Sequence, residues 1–247
     1  MRRARIAAVV CGIAAVGFPH LAGKAQETKP GGAAEHATIT FDFVRAGLGV
    51  PVPKYKLVIH DDGTGTYEGE ALPPPTRYGP AAASAVPFRR ELRMTAATTA
   101  HVFDLARQLD HFKVACASKA KNIADTGTKT LTYAGPDGGG ACTYNYTDIK
   151  ELTLLTETIQ GITETLDEGR ELDRLHRYDR LGLDPAMAYL QAEVAAGRAL
   201  ELQLIQDSLS EIADDADVLA RVRAKASAML KQIATGQLTT GRGDGMP

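Results

Sequence analysis

Several sets of residues in this chain have the right types to do chemistry, and each must be weighed against a plainer role. Asp125-Thr126-Gly127 is the first. An aspartic protease sets its catalytic carboxylate in such a turn and needs two of them face to face. Only one copy occurs here, and the preceding Ser118 to Asn122 is polar where an apolar strand is wanted. Asp and Gly ahead of a strand are ordinary turn formers, so we read the tripeptide as a turn. The histidines are the second set. His60 stands beside Asp61. His101 and His111 lie ten apart on one expected helix, on separate faces rather than at the i, i+4 spacing of paired ligands. His176 sits among Arg174, Arg177 and Arg180. All read as surface or helix-end residues. No H-E-x-x-H, G-x-S-x-G or P-loop pattern is present, so no catalytic residue, metal or cofactor is assigned. Asn145-Tyr146-Thr147 matches a glycosylation acceptor, but a strand end followed by a Thr cap explains it equally well.

The cysteines depend on compartment. Met1 to Ala25 has the layout of a cleavable secretory signal: Arg2, Arg3 and Arg5, an apolar run from Ile6 to Phe18, then Pro19, His20 and the small-residue end Gly23-Lys24-Ala25. The run falls short of the roughly 20 apolar residues that span a bilayer. The expectation is cleavage after Ala25 and a periplasmic or secreted product with no stable membrane insertion. Cys11 would leave with the signal, and Cys116 and Cys142 remain in an oxidising compartment where disulfides persist. We expect a Cys116–Cys142 bridge, stabilising by roughly 3 kcal/mol in the chain-entropy model, with a pair of buried thiols or a metal site as the alternative, although no His lies at metal-ligand spacing from either Cys. Losing Arg2, Arg3, Arg5 and Lys24 leaves 24 basic against 30 acidic residues, a formal charge of −6. That balance works against nucleic acid and anionic lipid as partners.

Stepping along the chain, Gln26 to His36 lacks periodicity and reads as a flexible lead-in. Ala37 to Val44 alternates, with Ile39, Phe41 and Phe43 on one side, and Tyr55 to His60 does the same. Asp61-Asp62-Gly63 then signals a hairpin into Thr66 to Glu70. Ala71 to Pro87 is Pro-rich and irregular, and Phe88 to Met94 can return as a strand. Thr95 has N-cap chemistry for a helix running to about His111, with Val102, Leu105, Leu109 and Phe112 on one face. Lys129 to Ala134 and Ala141 to Tyr146 form a second hairpin across a Gly-rich turn. Residues 37–146 are therefore an α+β module with an antiparallel sheet of about five strands and one packed helix. A helical region follows over 147–235, led by one long helix, and 236–247 reads as a disordered tail.

The run Tyr55-Lys56-Leu57-Val58-Ile59, then Asp62-Gly63 and Tyr67-Glu68-Gly69, the Thr-rich helix start with Phe103, and Asp125 ahead of the Lys129 to Tyr133 strand together resemble the β-sheet domains of uncharacterised exported bacterial proteins. The resemblance covers roughly Ala37 to Tyr146. It implies a small antiparallel sheet with one helix and carries over no catalytic residue.

In the long helix Leu152, Leu155, Ile159, Ile162 and Leu166 recur at 3-4-3-4 spacing. Such a helix needs a partner surface. Beyond it the charges are dense, and Arg170, Arg174, Arg177 and Arg180 can line an interface, since Arg is favoured there. Arg170 with Asp173 and Asp173 with Arg177 can pair on the helix. These nine residues form the candidate interaction surface, for an unidentified protein partner or for self-association. Gly182 can end the helix, Asp184-Pro185 suits the start of the next, and Leu200 to Ile212 and Val218 to Ile233 read as further helical stretches. The reading that follows is an exported, non-enzymatic protein of interaction or envelope structure. The rival is a periplasmic hydrolase whose residues converge only in the fold. Burial of the Leu152 to Leu166 stripe against the sheet would remove the main support for the first.

Overall fold

Period-two alternation builds the sheet. In a computed structural model, which describes residues 36–45, 50–72 and 84–236, β1 (Thr38–Val44) buries Ile39, Phe41 and Phe43 and leaves Thr38, Thr40 and Asp42 partly exposed. β2 (Lys54–His60) buries Tyr55, Leu57 and Ile59 on the same face. β3 (Thr64–Ala71) adds Tyr67. The signal, the lead-in before His36, the proline excursion from Pro73 to Pro80 and the tail past Gly236 lie outside the described residues.

β4 (Val86–Arg93) pairs along its whole length with β3, from Thr64 opposite Arg93 to Ala71 opposite Val86. Among the described residues the sheet therefore has six strands rather than five, all antiparallel, in the order β4-β3-β2-β1-β5-β6, where β5 is Thr128–Gly135 and β6 is Gly138–Tyr144. Pro87 does not disqualify β4, because an outermost strand has a solvent side on which a missing N–H costs nothing. Arg89, Glu91 and Arg93 keep that edge charged and unattractive to a further strand.

Thr95 caps α1 (Ala96–Gln108), its hydroxyl accepting from the Thr98 N–H at 3.3 Å. The helix stops short of His111, because Asp110, His111 and Phe112 all take the left-handed conformation, with φ of 47°, 54° and 68°. That turn buries Phe112 in the core and swings the chain back over β6. There Cys116 and Cys142 form the expected disulfide, with their Cα atoms 5.9 Å apart.

The long helix α2 (Lys150–Tyr178) serves two cores. Leu152, Leu155, Ile159, Ile162 and Leu166 pack with the sheet and α1, while Leu172 and Leu175 join a second cluster with α3 (Leu183–Ala195), α4 (Gln206–Asp214) and α5 (Ala220–Ala234). Asp184 lies within the first turn of α3 and pairs with Arg221 at 2.8 Å and Lys225 at 2.9 Å, tying α3 to α5. Residues 200–205 are not the start of a helix. They form a short crossing segment that ends in a 3-10 turn, Leu202–Ile205.

Candidate functional site

The two short motifs of the sequence meet in one place, and they spend their polar atoms on each other. Asp125 Oδ1 accepts the Gly127 N–H at 2.9 Å, which closes an ordinary Asx turn. The Thr126 N–H donates to Asn145 Oδ1 at 2.8 Å, and Asn145 Nδ2 donates to the Ala124 carbonyl at 2.9 Å. The amide a glycan would need is thus engaged. Behind them Lys129, on the buried face of β5, donates through Nζ to the Asn145 carbonyl at 2.9 Å, the Gly127 carbonyl at 3.1 Å and Thr126 Oγ1 at 3.1 Å. Phe43 and Tyr144 flank the ammonium with ring centres 5.8 and 5.9 Å away. Burial pushes the Lys129 pKa down, and the Asp125 carboxylate works against that. The arrangement fastens the start of β5 to the end of β6. It is a knot, in which the Asp125 carboxylate closes its own turn.

The proposed interaction surface does not survive in the form the sequence suggested. Leu152, Leu155, Ile159 and Ile162 are fully buried and Leu166 is nearly so, in the core shared with the sheet. The heptad-like stripe found its partner surface within the chain, so it offers nothing to another protein. The arginines divide. Arg170 turns back to Asp167 at 3.2 Å and stacks over the Phe88 ring at 4.9 Å, rather than pairing with Asp173. Arg174 grips Glu171 with two bonds of 2.7 and 2.6 Å. Arg180 reaches Asp215 at 3.0 Å and Asp217 at 3.3 Å. Arg177 lies over the exposed ring of Tyr178 and, among the described residues, makes no ion pair. His176 meets Asp215 at 2.8 Å, a partner 39 positions away that no local pattern announces. His111 lies 3.4 Å from Asp137. Among the described residues no three His, Cys, Asp or Glu side chains converge as a metal site.

A different face of α2 has unspent charge. Opposite the apolar stripe, Glu157 and Glu164 line a groove of about 720 Å³ together with Gln160, and Tyr189 and Glu193 of α3 with Arg198 close its other side. The hydroxyl of Tyr189, a half-exposed residue, donates to Glu164 Oε1 at 2.9 Å. Arg198 is held bidentate by Glu193 at 2.7 and 2.6 Å, which keeps the Glu193 carboxyl below the usual range and leaves that cation neutralised. Glu168, one turn along α2 from Glu164, is pushed up to about 7 by burial and then by Glu164, Glu171, Asp167 and Glu193. Burial likewise pushes its neighbour Asp167 up to about 6, although Arg170 and the Tyr67 hydroxyl, which donates to Asp167 at 3.0 Å, oppose it. Beyond burial, neighbouring carboxylates add to the rise at Glu168, which marks a locally negative stretch of α2. A second, smaller concavity, of about 440 Å³ between the β2–β3 turn and α1, is different, since Arg93 and Arg107 stand among its acids Asp61, Asp62 and Asp104 and Arg107 pairs with Asp104 at 3.0 Å.

Helical spacing could have found the groove. Glu157 and Glu164, which line it, and Glu168 and Glu171 beyond it recur at steps of seven, four and three on one side of α2. The chain matches no protein-family model and no curated protein, so the geometry alone carries the assignment.

Proposed function

We propose that this is an exported, non-enzymatic binding protein whose α2–α3 groove takes a positively charged segment of a protein partner. The observation that carries the reading is that Glu157 and Glu164 line the groove without an ion pair among the described residues, with Glu168 one turn beyond Glu164, while the groove's Arg198 is already neutralised by Glu193. The acids are strung along two turns and more of helix, which suits an extended chain of Lys or Arg rather than one compact ion. Export is supported by the Cys116–Cys142 bridge. No helix among the described residues is long and apolar enough to cross a membrane.

Calorimetric titration with a short oligolysine peptide at low salt tests this. Saturable binding is expected, weakening by tenfold or more in the Glu157→Gln/Glu164→Gln double variant and fading in high salt as exposed charges are screened. It should tighten as pH rises from about 6 to about 8, because Glu168, pushed up to about 7, becomes charged across that interval. An affinity identical in the double variant would refute the assignment. One observation favours hydrolysis as a second reading: a carboxyl that keeps its proton near neutrality, one turn from another carboxylate, is the arrangement of a general acid and its partner. Turnover of a neutral glycan or peptide that disappears in Glu168→Gln would select it.

A further inference from the structure

We infer that Glu201 is a positioning residue: it latches residues 198–205 as a strap across α2 and so fixes one wall of the α2–α3 groove. The inference rests on that groove being the binding site. It begins from an oddity of α2, which has Gly161, Thr165 and Gly169 in its interior at steps of four, although glycine there costs about 1 kcal/mol relative to alanine. The strap explains them. A Cβ on Gly161 would stand 2.9 Å from Leu200 Cγ and 3.1 Å from the Arg198 carbonyl, and one on Gly169 would stand 2.2 Å from Ile205 Cγ2. Hydrogen bonds follow the same seam. The Leu200 N–H donates to the Gly161 carbonyl at 3.0 Å, Thr165 Oγ1 donates to the Leu200 carbonyl at 2.6 Å, and Arg90 of β4 donates to the Leu204 carbonyl at 2.9 Å.

Where the strap crosses, Glu201 holds a left-handed backbone, φ 59° and ψ 46°, that a residue with a side chain rarely adopts. What keeps it there is its carboxylate, which is almost wholly buried at the N-terminus of α1. It accepts the Thr95 N–H at 2.6 Å and the Thr95 hydroxyl at 2.7 Å, and further bonds come from the Thr98 hydroxyl and from Gln203 Nε2. An anion is favoured there because the first amides of a helix lack partners and carry partial positive charge. Glu201 thus does from 106 positions away what a capping-box glutamate does locally. On the strap's other side, Arg198 and Leu200 line the groove. Cutting the latch leaves the strained turn held only by the seam bonds to α2 and to Arg90, and the wall loosens.

Hydrogen exchange on the full chain, read peptide by peptide, tests the latch independently of any ligand. In Glu201→Ala the peptide covering 198–205 should exchange faster by roughly tenfold or more, the factor that one hydrogen bond to a charged group carries, while β1, β2 and β5 keep their protection. Thr98→Val, a milder cut from the α1 side, should give a smaller rise in the same peptide, and Glu201→Gln should restore most of the protection. Oligolysine affinity should fall in the order of strap opening. Uniform acceleration over the whole chain in both Glu201→Ala and Thr98→Val, or an unchanged strap, would overturn the inference, as would a strap that opens without altering peptide binding. Wild-type protein that binds no peptide while its strap opens on cutting would instead sink the groove assignment and leave the latch standing.

Discussion

The knot around Thr126 and the groove between α2 and α3 are built from the same kinds of polar side chain, and they differ in whether those side chains are spent. In the knot Thr126, Lys129 and Asn145 satisfy one another within 3.1 Å, and Asp125 is satisfied by the Gly127 N–H at 2.9 Å. In the groove Glu157 and Glu164 lie two turns apart on one helix face with no ion pair among the described residues, Glu168 stands one turn beyond Glu164, and the groove's Arg198 is already claimed by Glu193. A polar cluster that closes on itself is scaffold, since removing any member strands the others. One that stays unbalanced spends stability for something outside the fold, and that is where a partner belongs.

Substitution should therefore separate the two regions. Lys129→Met is expected to cost about 2–3 kcal/mol in urea denaturation, because it leaves three oxygens without their donor in a buried corner. A cost below about 0.5 kcal/mol would dissolve the distinction. Asn145→Ala should cost less, about 1–2 kcal/mol, because its bonds lie nearer the surface. On α2 beside the groove the sign reverses with pH. Folded Glu168 and Asp167 hold their protons more tightly than the ordinary values of 4.5 and 3.8, up to about 7 and about 6. The folded chain then binds more protons than the unfolded one over that interval, and stability falls as pH rises from about 4 to about 7 and levels above it. Glu168→Gln should raise the melting temperature at pH 7 and flatten the upper part of that slope, whereas an unchanged profile would mean that Glu168 is not strained. At the acid end Asp215 and Glu193, held below the ordinary range by His176 and Arg198, lose their contribution as pH drops through their own lowered values. The smallest effect is expected for Asp125→Asn, which keeps the turn's acceptor and should change stability by no more than about 0.5 kcal/mol.

How much of this was readable beforehand follows the range of the interactions. The alternation of Ile39, Phe41 and Phe43 announced β1, and its parity even places Lys129 inward with Leu131 and Tyr133, although a lysine there looks wrong by type alone. Thr95 announced α1, and the cysteine pair its bridge. The stripe from Leu152 to Leu166 was visible as a face that must be covered, but periodicity says that a face is buried and not by what. Here the chain's own sheet covers it. Least visible was the strap. Leu200 to Ile212 has the apolar spacing of a helix, yet Glu201 is turned left-handed by partners at Thr95 and Thr98 that no local pattern links to it. Gly161 and Gly169 inside α2 were the trace it left in the sequence. The arginines misled for a related reason: their acids lie three residues back on the helix or beyond a loop, so Arg170, Arg174 and Arg180 are closed within the molecule.

The most direct test of the contrast between spent and unspent charge is a map of backbone amide shifts in isotopically labelled protein titrated with oligolysine. Saturating shifts confined to α2 around Glu157 and Glu164, to Tyr189 and Glu193, and to Arg198 are expected, with the signals of Thr126, Lys129 and Asn145 unmoved. Shifts centred on the knot, or spread evenly over the acidic surface without saturation, would contradict the account.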